Sequence, residues 1–149
     1  MSFNRYRTLQ RRILAAFMDE MLCVVVSIAV FSWISGFPGS NMFAEIASLL
    51  FIFVYYVFCH SYYGQTIGKY FFGIKVLRVA EDGHISAIQA IVRDVYVPFL
   101  TILSLVYSDQ PTLVFVPIIW LLIEVSFLLS NEKSRALHDY WGGSVVVRI

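Results

Sequence analysis

Charge is what this chain has least of. Only 14% of its 149 residues are Asp, Glu, Lys or Arg, while 59% are hydrophobic and the mean hydropathy is +0.74. A soluble domain typically carries about a quarter charged residues, so the scarcity excludes an ordinary soluble fold and places the chain in a lipid bilayer. The net charge of +1 excludes a global field that would gather nucleic acid or acidic partners. Cysteine is scarce too: Cys23 and Cys59 lie in apolar runs without CxxC spacing. They read as small apolar fillers, with no disulfide framework and no metal site. No pairing of nucleophile with base accompanies the acids, so no enzyme and no cofactor are expected.

The basic lead-in 1–12 carries four arginines and no acid, with Phe3, Tyr6 and Leu9 between them. It reads as an amphipathic segment lying on a membrane surface. The apolar run 13–34 that follows is about 22 residues, long enough to span, and lacks a small-x-small cleavage signature. It is expected to remain as a first span. A chargeless turn at 36–41 leads to a second, aromatic-rich run at 43–62, whose Tyr62-Tyr63 end suits a membrane interface. A cytoplasmic loop 63–86 ends in Ser86-Ala-Ile-Gln89, a capping box that starts a helix. That third segment, 87–107, is expected to kink at Pro98. Its apolar part is about 12 residues, too short for a hydrocarbon core of roughly 30 Å, so it is a short or re-entrant span with Arg93 at the boundary. A last span at 112–129 carries Pro117 and Glu124, and a tail 130–149 returns to water.

All eleven Lys and Arg lie in the lead-in, in the stretch Gly64–Asp94 or in the tail, and none in the turns 36–42 and 108–111. Four crossings with both termini cytoplasmic satisfy this distribution, with three crossings the second choice. The expected fold is an all-α, four-helix transmembrane bundle with a small cytoplasmic β element. Ile74–Val79 and Ser144–Ile149 are β-branched runs that can pair into that element, with Glu81-Asp82-Gly83 as a turn.

The residues that rise above this background are ionisable groups at membrane depth: Asp19 and Glu20, Arg93 and Asp94, and Glu124. Burying such groups costs several kcal/mol unless they are paired, so they face a bundle interior or a wet cavity. Asp19 lies about 9 Å deeper than Arg12 at 1.5 Å per residue. Glu124 reaches a similar depth, which brings Asp19, Arg93 and Glu124 into one layer where the guanidinium bridges two carboxylates. Beyond that layer the spans offer only hydroxyls such as Ser27, Ser48 and Thr101. A single protomer is therefore an incomplete ion path, and an oligomer with a shared pore would complete it. The other reading is a charge-neutralising clamp that docks the helices. Gly64-Gln-Thr66-Ile-Gly68-Lys69 lacks the four-residue gap and the hydroxyl after lysine of a phosphate-binding P-loop. It reads as an interfacial turn and short helix with Lys69 snorkelling to headgroups.

Four blocks together carry a resemblance: Arg12-Arg-Ile-Leu-Ala-Ala-Phe-Met-Asp19; Gly64–Lys69 with Gly73 and Val76; Gly83 with Ala90-Ile-Val-Arg93; and Leu137-His138-Asp139 with Gly142-Gly-Ser-Val-Val146. The chain resembles the RDD family of small membrane proteins, named for one arginine and two aspartates. The resemblance implies that these are Arg12, Asp19 and Asp139, with Arg93 a further family-like position, and Gly-Gly-Ser stands where the family usually shows Ala-Gly-Thr. It also implies a bacterial inner (cytoplasmic) membrane. The expected partners are the bilayer itself and a second copy of the chain or a membrane complex. For function it implies either a cation/proton transport or channel subunit acting as an oligomer, or a non-catalytic scaffold or accessory subunit. His138, beside Asp139, is read as an exposed residue at a helix end that is also a candidate proton-sensitive group.

Overall fold

The computed structural model of the protein describes residues 5–34, 40–106 and 115–149. The expected turn at 108–111 and most of that at 36–42 lie outside the described residues. Two long helices, α1 (Leu9–Ile34) and α2 (Ser40–Phe58), pack side by side, and a π-helical turn at Cys59–Tyr63 extends the second. Within them, Leu9–Val30 (mean hydropathy 2.2) and Glu45–Tyr63 (1.5) are long and apolar enough to cross a membrane. At 1.5 Å per residue the first covers about 33 Å, matching a hydrocarbon core of roughly 30 Å. Their apolar side chains are turned outward: Phe17, Val25, Ile28 and Val54 are each more than 60% exposed. A core helix of a soluble protein buries such residues, whereas lipid is the solvent that accepts them.

The third segment differs from the expected kinked span. It is broken at Val95 into α4 (Ala87–Asp94) and α5 (Tyr96–Val106), after the short helix α3 (Ile67–Phe71). The break falls where Pro98 acts: Pro98 has no N–H to give the Asp94 carbonyl four residues back and its ring crowds that carbonyl, while Val95 N still bonds Ile91 O and Phe99 N bonds Val95 O on either side. The capping box forms as the sequence indicates: Ser86 Oγ accepts from Gln89 N at 3.2 Å, and Gln89 Oε1 accepts from Ser86 N at 2.9 Å. A sixth helix, α6 (Phe115–Ser130), is apolar but, at 16 residues, shorter than the two candidate spans. Among the described residues, then, two helices have spanning length rather than the four expected.

At one end of the long helices lies the expected β element. Strand β1 (Ile74–Arg78) pairs antiparallel with β2 (Ser144–Arg148), which follows α7 (Leu137–Trp141), in the register Val76↔Val146. Val145, Val146 and Val147 are all fully buried. A core of Ala15, Ile74, Val76, Ile85, Ala90 and Val146 joins this sheet to α1 and α4. The lead-in is drawn into the same end. Arg5 pairs with Glu81 at 2.9 Å, Tyr6 donates to Glu81, and Arg11 donates to the Phe72 carbonyl at 2.6 Å.

Candidate functional site

Asp19 projects from α1 against the start of α3, 99% out of solvent. Its carboxylate accepts three hydrogen bonds: from Thr66 Oγ1 at 2.5 Å, Gly68 N at 2.8 Å and Tyr55 OH at 3.0 Å. The loop motif explains how the sequence arranges this. Thr66 is the residue before α3, and its hydroxyl also accepts from Lys69 N at 3.3 Å. Gly68 permits the approach, since a β-carbon there would lie 2.3 Å from the Ala15 carbonyl oxygen and 2.9 Å from Asp19 Oδ2. Gly64 closes the preceding π-helical turn with φ +70°, a left-handed value that other residues rarely adopt. The motif is thus a receptor for a carboxylate of its own chain.

The second centre is Asp139 on α7, fully buried. Arg12 reaches its Oδ2 at 2.6 Å and Arg93 its Oδ1 at 3.0 Å, while Ala136 N and Ser144 Oγ complete the shell at 3.0 and 3.2 Å. Burial pushes the carboxyl pKa up, but Arg12, His138 and Arg93 outweigh it and hold Asp139 well below the usual carboxylate range. One aspartate therefore joins residues 12, 93 and 139, from α1, α4 and α7.

From Arg93 the network runs on. The guanidinium also contacts Asp94 at 3.3 Å and the ring nitrogens of His60 at 3.0 and 3.2 Å. His60 Nδ1 lies 2.6 Å from Asp94 and Nε2 lies 2.8 Å from Lys69 Nζ. These partners assign a neutral ring with the proton on Nδ1, donated to Asp94, and Nε2 accepting from the ammonium. Lys69 accordingly turns inward rather than snorkelling. Burial, with Arg93 adding repulsion, pushes its pKa down to about 8. On the opposite side, Arg93 Nη2 reaches His138 Nε2 at 3.2 Å. His138 Nδ1 faces Glu124 Oε2 at 2.8 Å, off the line of a hydrogen bond, and its ring stacks on Tyr96 at 5.2 Å.

The expected layer of Asp19, Arg93 and Glu124 is not formed: no ion pair joins any two of them. The break at Val95 lets α4 lie against α2 and α7, which aims Arg93 at Asp139, while Asp19 finds its donors on α3. Two guanidiniums share one carboxylate, the inverse of the expected bridge. His138 is not an exposed helix-end residue either, with its side chain only 16% accessible. Arg12, Arg93, His138, Asp139 and Glu124 do meet in one network, and Gly64, Thr66, Gly68 and Lys69 do form one unit. Sequence reasoning left His60 and Tyr55 out, and named Asp94 and Ser144 without giving either a partner. An ionisable histidine at the end of an aromatic span was the available signal for the first.

A model of the RDD family matches residues 6–143. The chain belongs to the RDD family. The match contains both aspartate centres and all three residues, Arg12, Asp19 and Asp139, that the resemblance points to. Among curated proteins, this RDD chain is 31% identical over 71 residues to the uncharacterized membrane protein YteJ of Bacillus subtilis (strain 168), covering 46% of the chain and 43% of the relative. No solved structure matches it. Family and relative agree with the outward-facing apolar helices: this RDD chain is a membrane protein.

Proposed function

We propose that this RDD protein is a non-catalytic membrane scaffold, a unit that assembles with copies of itself or with a larger membrane complex. In this reading four helical segments cross a bacterial inner membrane, both termini are cytoplasmic, and the buried charges lock the helices to the cytoplasmic sheet. The observation that carries it is Asp139 held between Arg12 and Arg93, with every oxygen of Asp139 and Asp19 taken by donors of the same chain. An ion-carrying carboxylate needs a vacant coordination position; Asp139 has none, and three donors already occupy Asp19.

A second reading, a cation/proton transport or channel subunit acting as an oligomer, has its own observation. Lys69, His60, Asp94, Arg93, His138 and Glu124 form a continuous chain with steps of 2.8, 2.6, 3.3, 3.2 and 2.8 Å, and burial pushes the pKa of Lys69, at one end of it, down to about 8. Proteoliposomes with a pH-sensitive dye and imposed Na⁺, K⁺ and proton gradients separate the two. Silence from folded wild type, with Asp19→Asn lowering the thermal midpoint, is the expected result. Flux that vanishes in a folded Asp19→Asn variant sinks the scaffold reading and establishes transport.

A further inference from the structure

A cavity of about 610 Å³ opens beside the end of the second candidate span; Tyr55 and Thr66, two of the donors to Asp19, stand in its wall, and Asp139 and its partners do not. Tyr62, Tyr63, Tyr70, Gln65, Lys75 and His84 line it, and no acid does. Of the three lysines, Lys69 contacts His60 and Lys133 contacts Glu81 and the Val79 carbonyl. Lys75 alone has no hydrogen bond or ion pair among the described residues, although it is half-buried. Beside it, His84 Nδ1 is buried without a partner. A half-buried cation and an unsatisfied ring nitrogen in one cavity whose lining holds no acid make a site short of an anion.

Position selects the kind of anion. Tyr62 and Tyr63 are the last residues of the span, 68% and 54% exposed, where tyrosines sit at headgroup level. Next to it on α2, Phe58, which stacks on Tyr62, and Val54 are exposed. We propose that this cavity binds the phosphodiester headgroup of an anionic phospholipid. Lys75 is the counter-charge, His84 and the tyrosine hydroxyls hydrogen-bond the phosphate oxygens, and an acyl chain runs along the Val54–Phe58 face. The site is independent of whether the protein transports anything.

Titration calorimetry on the full chain in detergent tests it, with short-chain phosphatidylglycerol, short-chain phosphatidylcholine and inorganic phosphate as probes. Phosphatidylglycerol is expected to bind about tenfold or more tightly than the other two, the worth of one charge-assisted contact. Lys75→Gln should remove that preference, while Lys133→Gln, a lysine outside the cavity, should keep it. Equal binding of the two lipids, or an unchanged preference in Lys75→Gln, overturns the proposal. Inorganic phosphate binding as tightly as phosphatidylglycerol also overturns it and makes free phosphate the ligand. Should Lys75→Gln not fold, the wild-type comparison of the two lipids decides alone.

Discussion

A single methyl group at residue 68 has nowhere to go. In Gly68→Ala the new carbon meets a backbone oxygen of α1 and the Asp19 carboxylate at once, and backbone cannot swing aside as a long side chain can. The expected loss is about 1–3 kcal/mol, read as a lower thermal midpoint in detergent, whereas alanine at an exposed position of α3 should change little. Asp139→Asn should cost more, about 3–5 kcal/mol, because it leaves two buried guanidiniums sharing no carboxylate. The same residue sets an acid dependence. Its folded pKa lies below its unfolded one, so the stability it contributes is complete above the unfolded carboxylate value of about 3.9 and is lost as pH falls through the folded one. Thermal midpoints of wild type should drop on acidification below about pH 4 relative to those of Asp139→Asn; parallel curves would refute this.

Among the elements, α4 decides the architecture of the site. Its capping box and the break at Val95 hold it as a separate amphipathic turn of helix that delivers Arg93 and Asp94 inward. Ser86→Ala should cost about 1 kcal/mol and loosen Arg93 without touching it, visible as faster amide exchange in 87–94. The loop helix α3 carries the opposite pH signature. Lys69 holds its proton less firmly in the folded state, at about 8 against an ordinary 10.5, so stability should rise as pH climbs from about 8 toward 10.5. Lys69→Met should remove that rise; a wild type whose midpoint falls in step with the variant's over this range would contradict the inward placement of the ammonium.

For the molecule as a whole, polarity is concentrated at one end. Sheet, α3, α4, α7 and the charge network gather there, and the two long helices leave it with apolar surfaces exposed. The proposed topology, four crossings with cytoplasmic termini, puts the Glu81–Gly83 turn and the C-terminal strand both on the cytoplasmic side. In a background lacking Cys23 and Cys59, Asp82→Cys and Arg148→Cys should both label with an impermeant thiol reagent only from the cytoplasmic face, in inverted vesicles. Labelling of one from each face would instead give an odd number of crossings.

Much of this was legible in the sequence because it depends on local chemistry. Long apolar runs declare lipid whatever they pack against, Ser86 and Gln89 cap a helix within four residues, and β-branched runs at 74–79 and 144–149 pair wherever they meet. Asp19, Arg12, Arg93 and Asp139 could be singled out because an ionisable group in an apolar run must be compensated. Which charge compensates which is not local. Arg93 was expected to bridge Asp19 and Glu124 by depth along straight helices, and a break one residue after Asp94 redirected it to Asp139. His60 and Asp94, Lys69 and His60, and Asp19 and Gly68 are separated by 34, 9 and 49 residues, and no spacing rule links them. Composition and periodicity determined that this chain lives in a membrane and which residues it must pair there. Only the packing of α3, α4 and α7 against the two long helices decided the pairs, because ion-pair energy depends on distances of a few ångströms that are set by the tertiary fold.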